Sequence, residues 1–391
     1  MWTNIYTNKF KENELMECSR CLSNNTIQSI NLDLNNICQF CKMYDEMDSE
    51  FPLNDNSEKK LFQITDKIKK EGLNSKYDCV VGISGGRDST FLLYYIKKIL
   101  NLRPLAVHYD NGFDSDTSVS NILNICQKLN VDLETVVADW QTFKKITRSF
   151  FLAGVSDPDT PTDVGIFKSM YQTAYREKIN YVFNGHSFRT EGIEPLDWTY
   201  MDGRYIEDIH SKYGDGDIKK FDNFYIKDLI KYKIIRKIKT ILPLNYIQYS
   251  YDKIEKILKD EVNWSSYGGH HHESLLTKFV VSVYLPKKFN IDRRLTSYSA
   301  MVRAGLILKK DAKKILMQKP ISNEDESNLQ NYILDKLDIS QEEFKKIMSM
   351  RNKNFRDFNT YYNYFRYFKI PVKILYKLNF IPKILFLRYF G

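Results

Sequence analysis

The chain has 391 residues, room for two or three domains, and is 43% hydrophobic, 27% charged and 14% aromatic, which excludes a disordered protein. No apolar run is long enough to span a bilayer and no signal-peptide pattern opens the sequence, so a cytoplasmic location is expected. The net charge of +9 is confined mostly to the end: beyond residue 350 nine Lys/Arg face one acid, Asp357, so the remaining body is nearly neutral and no nucleic-acid partner is expected.

In chain order, residues 1–50 hold Cys18-x-x-Cys21 and Cys38-x-x-Cys41, sixteen residues apart. Two such turns fit a tetrahedral four-cysteine site holding structural Zn2+ in a small ribbon, where metal replaces a core too small to form alone. Iron–sulfur ligation is the alternative, and a redox pair would need only one of the turns. Residues 51–76 read as a linker and an amphipathic helix with Leu61, Ile64 and Ile68 inward and Gly72 past its end.

From Tyr77 short apolar strands alternate with helices: "YDCVVGIS", "STFLLYYIKKILN", "RPLAVHYD", "DTSVSNILNICQKLN", "VDLETVVAD", "GIFKSMYQTAYREKI" and "NYVFNGH". Asp116 or Thr117 is the expected cap of the second helix. This alternation predicts an α/β fold with a parallel sheet, Rossmann-like, over residues 77–250, with ligands at the carboxyl ends of the strands. Residues 251–350 read as mostly helical and 351–391 as a basic aromatic tail interrupted by Pro371 and Pro382.

The first strand runs into Ser84-Gly85-Gly86-Arg87-Asp88-Ser89-Thr90 and then a helix. Glycines let the backbone turn tightly, amides at the helix start face an anion, and the hydroxyls add donors. Asp88 is suited to holding the loop or Mg2+. The stretch is neither a Walker loop, which needs a lysine, nor G-x-G-x-x-G. It resembles the PP-loop, S-G-G-x-D-[ST], of ATP pyrophosphatases, which split ATP between the α- and β-phosphates. That resemblance implies adenosine near Asp110 in "HYDNG", and ATP contacts from Gly185, His186 and Glu191 in "NGHSFRTEG". His186 could equally be a loop histidine satisfying a strand end.

"WSSYGGHHHESLLTKF" places three histidines and Glu273 at a helix start. A metal site lacks the usual His spacing here; a substrate pocket or a polar cap fits better. His271, His272 and Glu273 are the candidate acid–base groups. Beyond it, Asp292, Arg293, Arg294, Ser297, Ser299 and Arg303 fall close together; Arg293, Arg294 and Ser297 are the candidates for an anionic group on a substrate, a solvated face being the alternative.

The order four-cysteine ribbon, S-G-G-R-D-S-T, N-G-H-x-x-R-T-E, W-x-x-Y-G-G-x-H-H-E-S and I-D-x-R resembles the N-acetyl sugar amidotransferases of bacterial surface-glycan pathways over most of residues 15–320. That resemblance implies conversion of an acetamido into an acetamidino group on sugars of O-antigen lipopolysaccharide or nonulosonic acids, with ammonia from a separate glutaminase–synthase pair. The chain offers no glutaminase cysteine: residue 2 is Trp, and Cys79 and Cys126 fall in apolar patterns. Two other functions stay open, a PP-loop tRNA-modifying enzyme and a non-catalytic zinc-ribbon scaffold of a glycan assembly complex. The tail is expected either to touch an anionic membrane surface peripherally, at the inner membrane, or to dock onto protein.

Overall fold

The computed structural model describes residues 16–269, 271–377 and 381–390. The first fifteen residues of the expected ribbon, His270, and residues 378–380 and 391 of the tail lie outside the described residues.

The cysteine segment has little regular structure beyond two single antiparallel bridges, Glu17 with Asn24 and Leu32 with Cys38, and ends in a helix, α1 (Gln39–Glu50), that carries Cys41. Helix α2 (Asp55–Glu71) follows, its first turn capped by the Asn54 side chain on Ser57 N–H and its apolar residues Leu61 and Ile68 buried.

The central domain is a five-stranded parallel sheet, β1 (Cys79–Gly82), β2 (Pro104–Asp110), β3 (Asp132–Val137), β4 (Tyr181–Phe183) and β5 (Lys239–Ile241), in the order β3-β2-β1-β4-β5. The chain steps outward in one direction to β3, then returns to the other side of β1. The carboxyl ends of β1 and β4 therefore form the switch point where such sheets bind ligands. Because side chains alternate across a strand, Cys79 and Val81 join a core with α2 and with α3 (Arg87–Tyr94) and α4 (Asp116–Leu129). Val80 joins the opposite core with Met170 and Tyr171. Ser115, one residue before the expected position, caps α4 by accepting from Ser118 N–H.

Helix α5 (Trp140–Ala153) enters after β3 and is capped by Asp139, and α6 (Thr160–Arg176) crosses back to β4. The stretch after β4 contains α7 (Gly203–Tyr213), the single turn α8 (Ile226–Leu229) and β5, so it is more regular than its composition implies. The helical half comprises α9 (Tyr251–Val262), α10 (Leu275–Phe279, continued to Phe289), α11 (Arg294–Arg303), α12 (Lys309–Leu316), α13 (Asn323–Lys336) and α14 (Gln341–Ser349). The tail forms α15 (Tyr362–Tyr367), α16 (Lys369–Lys377) and α17 (Lys383–Phe390), with Pro371 in the first turn of α16 and Pro382 just before α17. Phe355, Phe358 and Leu387 are buried against the body.

Candidate active site

The glycine turn sits at the mouth of β1. Gly85 has φ +72°, and a Cβ there would lie 2.2 Å from the Ser118 carbonyl oxygen, so only glycine fits. Its own carbonyl accepts from Trp264 Nε1 (3.1 Å) and Asn121 Nδ2 (3.1 Å), which fixes the turn from two sides. Ser84 and Ser89 hydroxyls lie 3.1 Å apart and brace the loop from within. Thr90 is fully buried under it. Arg87 does not reach outward: its guanidinium stacks on Tyr251, 3.2 Å from the ring centroid, and pairs with Glu255 at 3.1 Å.

A cavity of about 380 Å3 opens over this loop. Its walls include Ser84, Gly86, Arg87, Asp88 and Ser89, with Gly185, His186 and Glu191 from the β4 loop. His271, Glu273 and Arg293, far apart in sequence from the loop, face the same space. The reason is backbone pairing: Asp114 and Ser274 form a bridge, Ser115 N–H donates to the Glu273 carbonyl (2.9 Å), and Leu275 N–H donates to the Phe113 carbonyl (2.7 Å). The His–Glu segment is thereby tied to the loop after β2. A Cβ on Gly86 would be 3.1 Å from Glu273 Oε1, so the glycine also lets the carboxylate approach the loop.

Acids surround the cavity. Burial pushes Asp88 up to about 6, and burial with the neighbouring Asp88 charge pushes Glu273 up to about 7. Asp163 rises to about 7 through burial and Asp159. Glu191 is raised well above the usual carboxylate range by burial and by Asp88, Glu194 and Glu273. Among the described residues, Asp88 Oδ1 and Glu273 Oε2 are buried with no hydrogen-bond partner. Orphaned carboxylate oxygens beside a phosphate loop fit Mg2+, which takes one or two carboxylates along with substrate phosphates. Burial lowers His271 to about 3 and His186 to about 4, so both imidazoles are neutral near pH 7.

Three residues named from sequence are outside this first cavity. His272 is turned away from this cavity, its Nδ1 accepting from Gly269 N–H (3.0 Å) and its Nε2 bonded to the Ser282 hydroxyl (3.2 Å). With both nitrogens engaged it holds the turn instead of moving protons. Asp110 is outside the cavity wall and accepts from Gly112 N–H (2.8 Å), closing the turn after β2. Arg294 pairs with Asp292 (2.7 Å) and donates to the carbonyls of Leu316 (3.3 Å) and Gln318 (2.9 Å), tying down the end of α12.

Sequence reading did not single out Asp159, Asp163, Tyr267 or His108, all of which line the cavity. Burial works against a charge on His108, but Asp114 at 3.1 Å from Nε2 outweighs it and raises the imidazole. A second cavity of about 380 Å3 adjoins the first, sharing His186, Glu191, His271 and Arg293, and is closed on the far side by Leu385 and Arg388 of the tail. Arg294 and Ser297 lie in its wall.

The four cysteines are fully buried, and their sulfurs lie within 4.8 Å of one another. Separations are 3.7 Å (Cys18–Cys41), 3.7 Å (Cys21–Cys38) and 3.6 Å (Cys38–Cys41). A zinc tetrahedron with Zn–S of about 2.3 Å has edges of about 3.8 Å, so the cage fits one zinc ion. A four-iron cluster, with each thiolate on a separate iron, needs a wider cage. Arg303 donates to Cys41 Sγ (3.4 Å) and Cys21 Sγ (3.3 Å), and the Ser299 hydroxyl meets Ser23 (3.5 Å). These two residues, grouped with the substrate arginines by sequence proximity, belong to the cysteine centre.

A parallel sheet in this order with S-G-G-x-D-S-T at the mouth of its first strand defines a PP-loop nucleotide-binding protein. Two families match the chain: NAD synthase over residues 57–185 and "LPS biosynthesis protein WbpG-like, C-terminal domain" over residues 273–370. The chain thus joins an NAD synthase-like segment, which carries the phosphate loop, to a segment similar to the C-terminal domain of WbpG-like lipopolysaccharide biosynthesis proteins. An uncharacterized protein of Methanocaldococcus jannaschii is 32% identical over 126 residues, 32% of this chain; the match spans 44% of that relative's length. Among solved structures, the ammonia-dependent NAD synthetase of Campylobacter jejuni is 13% identical, with TM-score 0.30, covering 80% of this chain and 98% of its own. The U34-tRNA thiolase NcsA of Methanococcus maripaludis, with its 4Fe-4S cluster, is 16% identical, with TM-score 0.30, covering 79% and 90%.

Proposed function

We propose that the protein is an ATP-dependent amidotransferase that converts the acetamido group of a surface-glycan sugar to an acetamidino group, forming AMP and pyrophosphate. The observation that carries this reading is the joined pair of cavities. A phosphate loop opens one, and the wall it shares with the second carries Glu191, His186, His271 and Arg293. Two substrates, one in each, would meet there.

Cysteine placement supports ammonia over sulfur as the nucleophile. Four thiols form the buried cage; Cys79 and Cys126 are buried in the sheet core, with burial raising the first and pushing the second up to about 11. Neither is placed as a sulfur carrier or a glutaminase thiolate. Ammonia would come from solution or from a separate glutaminase–synthase pair.

In the first step the amide oxygen of the N-acetyl group attacks the α-phosphorus of ATP, and the bond to pyrophosphate breaks. The loop amides and the start of α3 offset the developing charge. Asp88 with Glu273 or Glu191 would hold Mg2+, which when bound would supply positive charge against the phosphates. Ammonia then adds to the carbon of the O-adenylyl imidate. The ammonium adduct loses one proton, the C–O bond breaks with its electron pair leaving on AMP, and the amidine remains. Glu273, near 7, is suited to take that proton, with the Nδ1 of neutral His271 4.0 Å from its Oε1.

The test is AMP and pyrophosphate release with Mg·ATP, ammonium chloride and a panel of N-acetylated sugars and bulk tRNA. Sugar-dependent AMP release with a product about one mass unit lighter supports the proposal. ADP formation, or AMP release with tRNA alone, overturns it.

Peripheral membrane contact remains a proposal for the tail's outer face. Tyr367, Phe368, Ile370 and Ile374 are exposed there among Arg366, Lys369, Lys373 and Lys377. Such a mixture suits an anionic bilayer. Flotation with anionic vesicles is expected for the native chain and lost in Ile370→Asp/Ile374→Asp; no flotation of the native chain rejects it.

A further inference from the structure

The two arginines expected to bind an anionic group on the acceptor are already engaged. Arg293 makes a two-pronged pair with Glu194 (2.7 and 2.9 Å) and reaches Asp159 at 3.2 Å. Arg294 is held by Asp292 and by carbonyls at the end of α12. Charge-paired arginines shape a wall and offer little to a new anion.

Two other cations on the second cavity are not paired in this way. Lys233 is 3% exposed, lies over the Tyr171 ring at 4.7 Å, and donates to the Thr240 hydroxyl. Among the described residues no carboxylate pairs with it; burial alone lowers it to about 7. A buried lysine with no counter-ion is costly unless something anionic visits it. Across the same cavity, α17 contributes Arg388, which donates to the Thr199 carbonyl at 2.5 Å and to the Thr199 hydroxyl, while its Nε is buried without a hydrogen-bond partner among the described residues. Of the two acids whose charges reach Arg388 among the described residues, Glu194 already answers to Arg293, and Asp163 is pushed up to about 7 by burial and Asp159.

The geometry points to an anion-binding subsite formed by Lys233 and Arg388 in the second cavity, which takes a carboxylate or phosphate carried by the acceptor sugar. It rests on the reading of that cavity as the acceptor site. The tail is then part of the acceptor site and not an appendage, because α17 supplies one of the two cations.

Direct titration calorimetry tests this without turnover, with the protein saturated by a non-hydrolysable Mg·ATP analogue. The probes are N-acetylglucosamine, its 1-phosphate, UDP-N-acetylglucosamine and N-acetylneuraminic acid. Expected is binding of one or more charged probes at least roughly tenfold tighter than the neutral sugar, a preference that Lys233→Met and Arg388→Met each reduce by roughly tenfold or more. Preference for the phosphates or for the carboxylate names the anion's source. Lys233→Met is also expected to raise Tm, as an unpaired buried charge is removed. Equal binding of neutral and charged probes, absence of any binding, or a preference that survives both variants overturns the subsite. Failure of amidine formation in the turnover assay, with the charge preference intact, would instead overturn the proposed reaction alone.

Discussion

The cysteine centre and the nucleotide cavity both gather negative groups, and they do so in opposite ways. In the first, four sulfurs gather within 4.8 Å of one another in full burial, three of their pairs at 3.6–3.7 Å, and Arg303 seals the cage by donating to two of them. In the second, Asp88, Glu191 and Glu273 line an open cavity, and Asp88 and Glu273 keep carboxylate oxygens that lack hydrogen-bond partners among the described residues. The first arrangement suits a permanent ion that takes the place of a hydrophobic core. The second keeps charges poised for a ligand that comes and goes, at a cost in stability.

The largest effects should separate the two sites. Asp88→Asn is expected to lower AMP formation by about 100- to 1,000-fold with unchanged circular dichroism and a Tm at or above native, since the residue serves a ligand at a cost in stability. Cys38→Ser should do the reverse: lose the single zinc measured by atomic absorption, lower Tm, and loosen α11 through Arg303. A Cys38→Ser protein with native Tm and zinc would break the contrast. Arg303→Met, which removes only the seal, should cost on the order of 2 kcal/mol of stability while zinc is retained.

A smaller effect concerns pH. Asp88, Asp163 and Glu273 bind protons more tightly folded than unfolded, at about 6, 7 and 7. Between about pH 4 and pH 7 the folded state therefore holds more protons, and stability falls as pH rises through that window. Mg·ATP, by compensating the ionised carboxylates, should stabilise more at pH 8 than at pH 6 in a thermal-shift series. A shift that shrinks with pH would mean that these acids do not face the nucleotide.

Most of the nucleotide side was legible in the sequence because its signals are local. A glycine turn between an apolar strand and a helix needs no distant partner to be recognised, and two C-x-x-C turns declare a metal by spacing alone. What escaped depends on contacts across the chain. Arg303 lies 262 residues from Cys41, and no periodicity on α11 marks it. Asp159 and Asp163 sit at an unremarkable helix start and matter only because β4 and the His–Glu segment bring other charges to the same space. Helix α5 escapes the alternation of strands and helices although its buried face is regular, and β5, which follows a helical stretch closely, joins the sheet by pairing with β4 rather than by pattern. The tail's composition proclaims charge and apolarity but not that α17 closes a cavity.

The finest division lies between adjacent histidines. His271 faces the cavity beside Glu273 and adopts φ +60°, a conformation that asparagine tolerates better than alanine. His272, one residue on, spends both nitrogens on Gly269 and Ser282. His271→Asn keeps the backbone unstrained, so it should lower kcat several-fold at unchanged Tm and leave the rise of rate with pH near 7, which belongs to Glu273. His272→Asn loses a buried bridge and should lower Tm by a few degrees, about 1 kcal/mol, with kcat in the folded fraction near native. The exchange of one carboxylate would decide which group moves the proton: in Glu273→Gln the limb near pH 7 should vanish. If it persists there and disappears in His271→Asn, the imidazole is the base and Glu273 serves the metal.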